Sequence, residues 1–168
     1  VDPFGNPTLS ADIAYTRRQP QFSEQERDLV SVTRTGYVAP VQTHADFRHS
    51  HVSETAQYEL NGVGRLADNA HTAGGLKAAW TAAQEIAYEA QPTDGRLQKR
   101  KLNHQMTLFW NGDLSDAESI GGIAFHGLPY QTYRLALTPS LRQAIFGGNR
   151  LTRAMGVDGG YRSKSGDR

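Results

Sequence analysis

Arg96-Leu97-Gln98-Lys99-Arg100-Lys101-Leu102-Asn103-His104-Gln105 decides how this chain is read. Most of its residues are long, unbranched and good helix formers. Leu97, Lys101, His104 and Leu108 recur three or four positions apart, the spacing of one helix face. The pattern predicts a basic helix over residues 96–110 that runs into the apolar patch Leu108-Phe109-Trp110. Its basic start opposes the helix dipole, and Asp94 would offset part of that. Asn111-Gly112-Asp113 breaks the element. The chain resumes in a glycine-spaced loop, Ile120-Gly121-Gly122-Ile123-Ala124-Phe125-His126-Gly127-Leu128-Pro129.

A longer helix is expected just upstream, over residues 76–90. Leu76, Ala79, Trp80, Ala83, Ile86 and Ala87 make one apolar stripe. Gly74-Gly75 precede it, and Pro92 with Asp94-Gly95 closes it. Downstream, residues 133–137 read as a short strand. Thr138-Pro139 then supplies an N-cap and a proline at the first helical position. Residues 140–146 form a short helix closed by Gly147-Gly148.

Toward the N-terminus, Leu29-Val30-Ser31-Val32-Thr33-Arg34-Thr35 mixes β-branched and polar residues as a half-buried strand does. Gly36 marks a bend, and Pro40 confines Ala39 to extended geometry. Residues 52–60 carry β-formers at Val52, Thr55 and Tyr58. With the polar loop between, the two segments read as a long hairpin. Residues 1–27 hold Pro3, Pro7 and Pro20 and read as an extended arm, in which Leu9, Ile13 and Ala14 mark at most one helical turn. Residues 156–168 read as a polar, basic tail. The expectation is an α+β chain with an arm at 1–27 and a single domain at 28–155. That domain would hold the long β-hairpin loop, a spine helix and a small mixed α/β part.

The composition sets bounds. Of 168 residues, 38% are hydrophobic, and mean hydropathy is −0.59. The core is therefore modest, and the chain is either a loop-rich monomer or one whose segments find partners on another chain. Cysteine is absent, which excludes disulfides and thiolate chemistry. No apolar run reaches the length of a membrane span. Val1-Asp2-Pro3-Phe4-Gly5-Asn6-Pro7 lacks the charged-then-apolar order of a signal peptide. Net charge is +1, but from Arg134 onward seven Lys or Arg face only Asp158 and Asp167. That excess suits a phosphate or acidic partner, or a solvated tail.

The sharpest catalytic-looking cluster is His44-Ala45-Asp46-Phe47-Arg48-His49-Ser50-His51. On a strand, His49 and His51 would share a face, with His44 and Asp46 looping back to complete a metal or acid–base site. The spacing matches no known metal motif, and a solvated polar loop is the plainer reading. Asn61-Gly62-Val63-Gly64 lacks the third glycine of a dinucleotide fingerprint and reads as a loop. Gly74-Gly75-Leu76-Lys77 lacks the Walker pattern and reads as helix entry. Asp113, Asp116 and Glu118 match no calcium loop. No cofactor is expected. Phe109 and Trp110, with Trp80, are core or subunit contact.

The order of elements resembles the shell proteins of tailed phages and encapsulins. It does so through the arm, the hairpin loop, the spine helix, and the motif Trp110-Asn111-Gly112-Asp113 with Gly121-Gly122-Ile123 and Leu128-Pro129. The resemblance implies a self-assembling, non-enzymatic structural protein of a virion. Its partners would be copies of itself and other virion proteins. Arg96, Lys99, Arg100 and Lys101 would face packaged nucleic acid without sequence preference. Trp80, Phe109 and Trp110 would lie at subunit contacts. Val1-Asp2-Pro3-Phe4-Gly5-Asn6 also resembles the junction that precedes polymorphic (Rhs-type) toxin modules. That likeness implies an effector whose nuclease-like site would be His44, Asp46, His49 and His51.

Overall fold

The computed structural model describes residues 1–43, 47–65, 71–150 and 152–161. In chain order the elements are β1 (Leu9–Ala14), β2 (Leu29–Tyr37), β3 (Val41–Gln42), β4 (Phe47–Arg48), β5 (Val52–Asn61), α1 (Ala73–Ala82), β6 (Gln84–Ile86), β7 (Gln98–Phe109), β8 (Pro129–Arg134), α2 (Pro139–Arg150) and α3 (Arg153–Asp158). The chain is α+β, as expected. Six strands form one sheet in the order β1-β2-β5-β7-β6, and β8 pairs with β7. All pairings but β6–β7 are antiparallel.

The expected hairpin is present. β2 pairs with β5 from Val30↔Leu60 to Tyr37↔Val52, and Gly36 sits at its irregular end. Val30, Val32, Ala56, Tyr58 and Leu60 point to one face and are buried. The same face of β1 carries Leu9, Ala11 and Ile13, half-buried. Helix α1 lies over it, and Ala79 and Ala83 close a core with Val30, Val32, Leu60 and Val63. A second cluster, Val38, Phe109 and Ile123, lies at the other end of the strands. The opposite face is polar, with Ser31, Thr33, Gln57, Asn103 and Gln105.

Four expectations are corrected here. Residues 96–110 do not form a helix; β7 spans most of the segment and joins β5 to β8. The backbone groups of β5 left open by β2 need a partner ladder, and β7 supplies it, overriding helix propensity. The spine helix is short, because α1 ends at Ala82. Ala83 is extended (φ −63°, ψ 129°), and Gln84 to Ile86 pair with β7. Leu9 to Ala14 form no helical turn but an edge strand of the sheet. Farther on, β8 covers Pro129–Arg134, earlier than the strand expected at 133–137.

The start of α2 matches its sequence signals. The Thr138 hydroxyl oxygen accepts from the Leu141 N–H at 3.0 Å. Gly147 breaks the helix with φ 63°, although helical turns resume to Arg150. A last helix, α3, reaches Asp158, within the segment expected to be tail.

Candidate functional site

The helix-bearing face of the sheet gathers the charged side chains that sequence reasoning did not connect. Arg34 of β2, Glu54 of β5 and His104 of β7 project from three adjacent strands. Glu54 accepts from Arg34 Nη2 at 2.8 Å and lies 2.8 Å from His104 Nε2. Its side chain is 18% exposed and that of His104 12%, so these two are largely shielded, while that of Arg34 is 48% exposed. Hydrogen bonds to a shielded carboxylate are stronger than exposed ones and costly to leave half-made. Beside it lies a shallow depression of about 390 Å³, bordered by Thr8, Leu9, Arg34, Glu54, Lys77 and Trp80. The signal in the sequence was opposite charge on the two strands of one hairpin. Arg34 stands opposite Ala56, one face-position from Glu54.

Next along the same face, Trp80 of α1 meets the Tyr58 ring edge-on with centroids 4.8 Å apart. Lys99 Nζ stands 4.4 Å from the centroid of Trp80 and donates to its carbonyl at 3.1 Å. Lys101 lies over Tyr58 and within 3.9 Å of Glu85. Burial, with Glu85 adding to it, raises the Tyr58 phenol above its ordinary value. On the opposite face, Arg100 makes a two-pronged contact with Glu59, at 2.7 and 3.2 Å, and donates to the Ala90 carbonyl. Three of the four basic residues expected to face nucleic acid are thus engaged within the chain. Arg96 is exposed.

The histidine cluster does not converge among the described residues. His49 stacks on Phe4 at 4.8 Å and contacts Ser50 Oγ at 2.5 Å. His51 sets its edge to Phe109 at 6.0 Å. Ser50 between them has φ 64°, so the alternation that would have aligned the two rings is broken. His44 and Asp46 lie outside the described residues. Among those described, no group of three or more His, Asp or Glu is placed to hold a metal. Asp113 is engaged in its turn. Hydrogen bonds from the Ser115 hydroxyl and N–H hold its carboxyl below the ordinary range.

The aromatic residues expected at subunit contacts have partners inside the chain. Phe109 is 4% exposed in the second core, and Trp110 meets Tyr130 edge-on at 4.6 Å. Among the described residues, no helix is long and apolar enough to cross a membrane. No known protein-family model matches the chain, and no curated protein matches it.

Proposed function

We propose that this chain is a structural protein that works by assembly, as a unit of a protein shell. One observation carries the reading. Among the described residues, Tyr15, Phe22, Phe47, Ile145 and Met155 are each more than half exposed. A chain that leaves so many large apolar side chains in solvent is suited to bury them against neighbours.

The finer form of the proposal is a virion shell of the tailed-phage kind, built from copies of this chain. The surface supports assembly more strongly than the order of elements supports that kinship, since one of the three expected helices, that over 96–110, is a strand. Nucleic-acid contact finds less support, because Lys99, Arg100 and Lys101 serve the fold.

Negative-stain microscopy of the purified chain, taken from the leading peak of a size-exclusion column, tests the shell reading. Closed particles of uniform diameter are the expected result. Dispersed small particles at every concentration would overturn it.

A further inference from the structure

We infer that β1 is a self-complementary docking edge, through which two copies of this chain join their sheets in antiparallel register centred on Ala11. The inference rests on the assembly reading and supplies its first contact.

The backbone sets the geometry. The Thr35 N–H donates to the Thr8 carbonyl at 3.0 Å, and the register continues Ser10↔Thr33 and Asp12↔Ser31. Backbone groups of successive residues point to opposite sides of a strand. Ser10, Asp12 and Ala14 therefore turn toward β2, and Leu9, Ala11 and Ile13 turn away from it. The sheet ends at β1, and among the described residues nothing pairs with those outward groups. Natural edge strands are blunted by charge, lysine above all, by proline, a bulge or a covering segment. Leu9-Ser10-Ala11-Asp12-Ile13-Ala14 carries one charge, Asp12, but no lysine or proline, and its register with β2 is unbroken.

The sequence of β1 selects both occupant and register. A second β1 placed antiparallel with Ala11 opposite Ala11 brings Leu9 opposite Ile13. Every outward N–H and carbonyl of Leu9, Ala11 and Ile13 then meets its complement, two hydrogen bonds for each of three pairs. The apolar row Leu9, Ala11, Ile13 continues across the junction on the α1 side. On the other side Asp12 faces Ser10, whose hydroxyl can donate to the carboxylate. The register centred one residue on, at Asp12, sets the two carboxylates directly opposite each other, which is unfavourable. Registers centred between residues put apolar side chains opposite polar ones on the wrong face. The depression beside Arg34 and Trp80 borders this edge at Thr8 and Leu9, so a second sheet would extend its wall.

The chain has no cysteine, so disulfide trapping reads the register directly. Under mild oxidation, an equimolar mixture of the Ser10→Cys and Asp12→Cys proteins is expected to give a cross-linked dimer, and Asp12→Cys alone is not. The second test is Ala11→Pro. It removes only an outward N–H, so circular dichroism is unchanged, while self-association weakens by about tenfold or more. If Asp12→Cys alone cross-links as well as the mixture, the Ala11 register is wrong. If the chain assembles, no pair cross-links and Ala11→Pro assembles equally well, the edge is not the contact, although the assembly reading survives. A chain that stays monomeric at all concentrations overturns both.

Discussion

Gly62→Ala is the most demanding test of the fold. Gly62 directly follows β5 with φ +83°, and the chain returning to β7 passes directly over it. A Cβ there would lie 2.4 Å from the Arg96 carbonyl oxygen, 2.7 Å from its carbon and 2.9 Å from the Leu97 nitrogen. All three are backbone atoms, so no side-chain rotation relieves the contact. The left-handed conformation alone costs an alanine about 1–2 kcal/mol. Moving the 93–97 segment away also breaks the hydrogen bonds from Asn61 Nδ2 to the Thr93 and Arg96 carbonyls, worth about 1 kcal/mol each. The total is about 3–4 kcal/mol, a large part of the stability of a small domain. Gly64, two residues on, has open space around its would-be Cβ and no positive φ. Gly64→Ala should therefore change stability by no more than about 0.5 kcal/mol. Urea unfolding followed by tryptophan fluorescence measures both. A loss below about 1 kcal/mol for Gly62→Ala, or equal losses at the two sites, would refute the argued crossing of residues 96 and 97 over the end of β5.

Further outcomes follow from other parts of the molecule. Val32 is 1% exposed, and Val32→Ala should cost about 2–3 kcal/mol in the same assay, the transfer of two methyls plus a residual cavity. Thr138→Ala should lower stability by about 1 kcal/mol through loss of the α2 cap, read as a shift in the urea midpoint. Hydrogen bonds from Ser140 and Thr138 hold the Glu89 carboxyl below its usual 4.5. The folded chain therefore binds that proton less well than the unfolded one, so this stabilisation is whole above about pH 4.5 and is lost as pH falls through the lowered value. The urea midpoints of wild type and Glu89→Gln should accordingly differ at pH 6 and converge on acidification. Arg100→Met should destabilise the chain by breaking its pair with Glu59, yet leave elution from a heparin column unchanged. A shift in elution with intact stability would return Arg100 to a nucleic-acid role.

The parts of the fold legible in the sequence were those whose signals were local. β2 showed its alternation, and Thr138-Pro139 showed the start of α2. β7 was hidden for a specific reason. Its pairing with β5 slips between Gln57 and Tyr58, leaving Leu102 as an extra, bulged residue. Inward-facing positions therefore run Lys99, Lys101, His104, Met106, and the three-residue step at the bulge imitates helical spacing. Polar residues on both faces removed the remaining contrast. In β1, Leu9 and Ile13 stand four apart, a spacing that fits a strand face as well as a helix. Long-range pairing decided both cases, and no local pattern carries it. The same holds for the Arg34–Glu54–His104 cluster, whose members are separated by 20 and 50 residues and meet only once the register is set. His49 and His51 fall outside the strands, and the left-handed Ser50 between them undoes the alternation that would have set them on one face.

The most direct test of the assembly account is the mass of the intact chain in solution, measured by light scattering across a concentration series. The account predicts a mass that rises with concentration, through a dimer, to species many times 18.5 kDa. A mass that stays at 18.5 kDa across the series would contradict it.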